Sequence, residues 1–83
     1  MTVFAERVRK LRERRHRSRE ALSQLCGLPS DTIRRYERDE VNWRKIEIGS
    51  VLAIAEEFDV SVDYLIGRTD DPWVNTGKRS PWE

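Results

Sequence analysis

Phe4, Val8 and Leu11 recur at the four-and-three spacing of one helical face, and Arg7, Arg9, Lys10, Arg12 and Arg14 fill the rest of the circumference. That pattern predicts an amphipathic first helix. Arg15-His16-Arg17 has no apolar member and ends it. Ser18 then offers an N-cap, with Glu20 in the following turn where the helix dipole favours an acid. A second helix is expected from about residue 19 to Cys26, burying Ala21, Leu22, Leu25 and Cys26. Gly27 stops it by taking up a left-handed backbone.

Leu28-Pro29-Ser30 makes a turn, and a third helix starts near Ser30 with Ile33 and Tyr36 as its apolar anchors. Glu40 to Glu47 reads as a loop holding Trp43, Arg44 and Lys45. A fourth helix follows, with Ile48, Val51, Leu52, Ala55 and Phe58 spaced for a core face. Ser61 caps a short fifth helix, Val62 to Ile66, which Gly67 ends. Beyond Arg68 two prolines and weak periodicity predict an extended tail, so the chain divides into a domain over residues 1–69 and a tail over 70–83.

The break between the second and third helices carries the functional argument. Two helices joined by so short a glycine-containing turn cross steeply, which is the geometry that places the second helix in the major groove of DNA. Ser23, four residues before Gly27, supplies the small side chain that the crossing requires. Ile33, six residues after it, supplies the β-branched plug.

Charge changes the reading only when it is divided along the chain. Sixteen Lys/Arg against fifteen Asp/Glu leave a net +1, which by itself argues against a polyanionic partner. Residues 1–45, however, hold thirteen basic and seven acidic side chains, net +6, and residues 46–83 hold three and eight, net −5. One half is thus suited to a polyanion while the other keeps the molecule soluble. A single cysteine excludes an internal disulfide framework, and paired Cys or His spacings of a zinc site are missing. No apolar run approaches a membrane span and no secretory leader is evident, so a cytoplasmic protein with no membrane partner is expected. There is no phosphate-cradling glycine loop, no nucleophile with an assigned base and no metal cluster, so neither an enzyme nor a cofactor or small-molecule ligand is expected.

The stretch SREALSQLCGLPSDTIRRYER, the leading FAERVRKLRERR and the trailing VLAIAEEFDVSVDYLIGRTDDP together resemble the lambda-repressor-like helix-turn-helix family, also called the Cro or XRE family, over about residues 3 to 72. The resemblance implies an all-α fold, a compact five-helix DNA-binding domain with its motif at about residues 19–38. It implies a DNA-binding regulator, a repressor on a palindromic operator in double-stranded DNA, acting as a homodimer. The family's base-reading positions fall on Ser30, Asp31, Thr32, Arg34 and Arg35. Arg35 is the leading candidate for a bidentate guanine contact, whereas Arg34, though at a base-reading position, is expected with Arg38 to meet phosphate. Phosphate contacts fall to Arg12, Ser18, Arg19, Arg38, Arg44 and Lys45. Val62, Ile66 and Trp73 are the expected dimer contacts.

Three positions depart from the family's pattern. Asp39 stands where a glycine is usual, no proline precedes the fourth helix, and the connection from Tyr36 to Ile48 is about three residues longer. The NWRK segment either reaches the DNA backbone through Arg44 and Lys45 or covers the core with Trp43. Duller readings stand beside the sharper ones. The arginines form a solvated face, Asp31 caps a helix rather than meeting cytosine, Cys26 is an inert buried thiol, His16 is a surface residue, and Trp73 and Trp82 fold back or join a dimer. The rival functions are an antitoxin-type partner of a basic toxin and a protein-interaction adaptor on the same fold.

Overall fold

The computed structural model describes residues 2–72, and these form a helical bundle. Helix α1 spans Val3–Arg14, α2 Arg19–Leu25 and α3 Thr32–Glu37; a 3₁₀ turn, Trp43–Lys45, precedes α4, Ile48–Phe58, and α5, Val62–Leu65. The expected all-α class and five helices are present. Among the described residues no helix is long and apolar enough to cross a membrane.

Helices as short as α3 and α5 have no stability of their own, because nucleation costs more than one or two turns return. They form because each covers part of a shared core. Helix α1 packs against α3 and α5, α2 against α3, and α4 against α5. Phe4, Val8, Leu11, Leu22, Ile33, Tyr36, Val51, Ile54, Phe58 and Leu65 are buried together, with the Phe4 and Tyr36 rings tilted at 5.7 Å. Ser23 is buried as the tight crossing demands, its hydroxyl without a hydrogen-bond partner among the described residues.

Local caps set the helix starts. The Thr2, Ser18 and Ser61 hydroxyls accept from the backbone N–H groups of Ala5, Ala21 and Tyr64, at 3.2, 3.0 and 3.0 Å. Gly27 has φ +69°, as the turn requires. Helix α3 starts two residues later than expected, at Thr32, and α2 ends one residue earlier, with Cys26 as its C-cap.

Three apolar residues expected inside are outside: Leu25, Ile48 and Leu52 are exposed. In α2 the inward stripe runs through Leu22 and Ser23, which turns Leu25 to the flank. In α4 it runs through Val51, Ile54, Ala55 and Phe58, so Ile54 takes the place given to Leu52, which sits about 100° around the helix from Val51. Ile48 opens that helix at its exposed end.

The lengthened connection is not a plain loop. Asn42 caps the 3₁₀ turn by accepting from the Arg44 N–H at 3.0 Å, and Val41, Trp43 and Ile46 pack against the core. Asp39 holds the left-handed backbone that the family gives to glycine, with φ +60°. Its carboxylate accepts from the Thr2 N–H at 2.7 Å and the Thr2 hydroxyl at 2.8 Å, tying the end of α3 to the start of α1. Arg7 binds the segment that follows α5. Its guanidinium donates to the carbonyls of Tyr64 and Thr69 at 2.5 and 2.7 Å and to the Asp70 carboxylate at 2.8 Å, and lies 4.0 Å over the Tyr64 ring. Ser61 N–H donates to the Pro72 carbonyl at 3.0 Å. Trp73, Trp82 and most of the expected tail lie outside the described residues.

Candidate nucleic-acid interface

Helix α3 is held by one side and shown by the other. Ile33, Tyr36 and Glu37 are buried, whereas Ser30, Asp31, Arg35 and Arg38 are exposed and Arg34 and Thr32 are half-buried. Positions 31, 35 and 38 therefore share the solvent face, opposite the anchors Ile33 and Tyr36.

Glu37 was not singled out by sequence reasoning, yet it organises the motif. The residue is 4% exposed, and its carboxylate accepts from Arg12 Nε at 2.6 Å and Arg12 Nη2 at 3.0 Å, with Arg19 Nε at 3.4 Å. Arg12 Nη1 donates to the Arg17 carbonyl at 2.8 Å. Hydrogen bonding to Glu37 pushes the Arg12 pKa above its ordinary value, against the opposing effect of burial. This paired, bidentate bridge clamps α1 to α3. A sequence signal for it existed: Glu37 falls four residues after Ile33, on the apolar stripe, where an acid must find a cation. Arg12, expected on phosphate, is instead drawn inward, and all three of its guanidinium nitrogens are engaged within the fold.

The remaining expected contacts divide into two groups. Ser18, Arg19, Ser30, Asp31 and Arg34 come together around an open polar notch of about 430 Å³ between the starts of α2 and α3, with Arg12 at its floor. Ser18 is occupied as the α2 cap. Asp31 makes no cap bond; its Oδ1 accepts from Arg34 Nε at 2.8 Å and from Arg34 Nη2. The second group is more open. The Arg35 side chain makes no ion pair or hydrogen bond with any described residue, its backbone alone bonding to Asp31 and Glu40, and Arg38 Nε lies 3.3 Å from Glu40. Arg44 and Lys45 are exposed on the 3₁₀ turn, with the Arg44 guanidinium 5.2 Å from the Trp43 ring centre.

Away from this face, Arg17 pairs with Glu57, and Cys26 is half-buried with its thiol pKa pushed up to about 11 by desolvation and by Glu57. The thiol is therefore neutral at ordinary pH, in keeping with an inert role. Among the described residues no His, Cys, Asp and Glu cluster could hold a metal ion.

A family model described as helix-turn-helix matches residues 8–65. Over 70 residues the chain is 31% identical to YobD, an uncharacterized HTH-type transcriptional regulator of Bacillus subtilis (strain 168), a match covering 84% of this chain and 60% of that protein. The chain thus spans about three fifths of the length of that curated relative. No solved structure matches it at a significant level.

Proposed function

The chain belongs to the helix-turn-helix family, and from that premise we propose that it is a sequence-specific DNA-binding transcription regulator, a repressor that occupies a palindromic operator as a dimer. The observation that carries this reading is the two-sided α3, locked inward by Ile33, Tyr36 and the Arg12–Glu37 bridge while Arg35 stands outward without a partner among the described residues. In this reading Arg35 makes a bidentate contact to guanine, and Ser30 and Thr32 sit at the first turn beside neighbouring bases. Arg19, Arg38, Arg44 and Lys45 meet phosphates.

A dimer is part of the proposal, since one recognition helix reads only a few base pairs and two half-sites supply useful specificity. Val62 and Ile66 are half-buried against the core, and Trp73 lies outside the described residues. Val62 also lines a cleft of about 460 Å³ with Leu52, Ala55 and Val60, and this cleft, one helical turn from the exposed Ile48, is the face we assign to self-association. Glu56 and Asp59 also line that cleft, which favours, as a second reading, an antitoxin-type role in which this acidic half holds a basic toxin.

Titration against random duplex DNA at several salt concentrations tests the main reading. A dimer that neutralises roughly six to nine phosphates should give a log–log slope of about −5 to −8. Binding that is absent, or insensitive to salt, removes the DNA function and leaves the partner reading.

A further inference from the structure

Arg34 and Arg35 are adjacent on the recognition helix, but only one of them is free. Asp31, one turn ahead, receives both Nε–H and an Nη2–H of Arg34 on a single oxygen, Oδ1. Both side chains of the pair remain substantially exposed, 43% for Arg34 and 53% for Asp31. The contact therefore does not bury a charge, and it does not cap the helix.

Two consequences follow for what Arg34 can bind. The carboxylate beside it cancels most of its attraction for a phosphate, because a neutral pair releases no counterion from DNA. What is left is directional. Asp31 occupies the side edge of the guanidinium, formed by Nε and Nη2, and leaves the end edge, formed by Nη1 and the outer N–H of Nη2, as a two-donor fork. That fork matches the two acceptors of guanine in the major groove, O6 and N7. Asp31 Oδ2, which accepts from no described residue, is an acceptor for the N4 amino group of a nearby cytosine. Fixing the guanidinium plane before binding also lowers the ordering cost that the unpartnered Arg35 must meet on the DNA.

We propose that Asp31 is a positioning residue that turns Arg34 from a phosphate contact into a second guanine reader, so that the pair recognises a G·C base pair as one unit. This rests on the reading of α3 as a recognition helix. On that basis the neighbouring arginines read by different means: Arg35 through its own side chain, Arg34 through a pair already formed in the free protein.

The experiment selects duplexes from a random pool with the wild-type chain, then measures affinity for single-base-pair variants of the winning site. Wild type, Asp31→Ala, Arg34→Ala and the double variant are compared, with a thermal melt of each. Arg34→Ala should lose roughly ten- to hundredfold discrimination at one G·C position. Asp31→Ala should reduce discrimination at that same position to within about threefold of none, while its affinity for random duplex rises because a negative charge near the phosphates is gone. A purely structural role cannot produce this opposite pair of changes, since a destabilised fold loses affinity for every duplex. The double variant should discriminate no worse than Arg34→Ala alone. If wild type selects duplexes but Asp31→Ala keeps its discrimination, or its loss adds to that of Arg34→Ala, the pairing role is overturned and the regulator reading stands. If wild type selects no duplex, both fall.

Discussion

At the scale of single residues, two acids decide whether the motif is held in place. Glu37 is buried against Arg12, whose side chain is 11% exposed, and Glu37→Ala leaves that guanidinium without its partner. Removing one member of such a buried pair costs about 3–5 kcal/mol, as much as the whole margin expected of a core this small, roughly 3–5 kcal/mol. Urea unfolding should therefore find Glu37→Ala largely unfolded at 25 °C. Replacing both residues with apolar ones of similar volume should cost far less, and a mild single-variant effect would show that solvent still reaches Arg12. Asp39 yields a pH dependence. The Thr2 hydroxyl and N–H hold its carboxyl below the usual range, so its folded pKa lies under its unfolded one. The stability it contributes is complete above about pH 4 and is lost as pH falls further, through the folded pKa. Asp39→Asn keeps a residue that tolerates the left-handed backbone and removes the titration. Melting temperatures from pH 7 to about pH 2 should show wild type ahead at neutrality and level with the variant in acid; a gap that stays constant would place the effect elsewhere than in the carboxylate.

At the scale of elements, the helix ends are set by backbone geometry, and two glycines separate its components. Gly27 and Gly67 both have positive φ, +69° and +89°. A Cβ added at Gly27 meets nothing within 4 Å, whereas at Gly67 it meets Val3 Cγ1 at 3.1 Å and Val3 Cβ at 3.2 Å. Gly27→Ala should thus cost only the left-handed backbone penalty, about 1–2 kcal/mol. Gly67→Ala should cost more, because a contact with Val3 Cβ is not relieved by rotating a side chain and the start of α1 must shift. Thermal melts of the two variants decide this, and equal losses would mean that α1 yields freely at its first turn.

For the whole molecule, the charge division and the apolar cleft assign different parts of the chain to different tasks. The basic half contains α1 to α3 and the 3₁₀ turn, while α4 and α5 belong to the acidic half and line the cleft around Leu52. Leu52 is 44% exposed, so Leu52→Asp should cost about 1–2 kcal/mol of folding stability, from the covered half of the side chain and the poorer helix propensity of Asp, and leave the chain folded. It should convert a dimer to monomer in sedimentation velocity and weaken binding to a palindromic duplex more than to a half-site. A dimer that persists in this variant would move the self-association surface away from α4.

Periodicity and punctuation in the sequence were enough to determine the number and order of the helices, the break at Gly27 and the capping by Ser18 and Ser61. Each of these rests on residues within one or two turns of one another, where backbone sterics and local hydrogen bonds act. Only the tertiary structure decided which arginines are committed inside the fold. Arg12 meets Glu37 across 25 residues and Arg7 meets Thr69 across 62, and Asp39 reaches Thr2 across 37. A guanidinium at a helical surface position looks the same in sequence whether it faces water, a phosphate or a buried acid. Its partner is chosen by the crossing of helices, and the packing of α4 likewise turned Leu52 outward and Ile54 in.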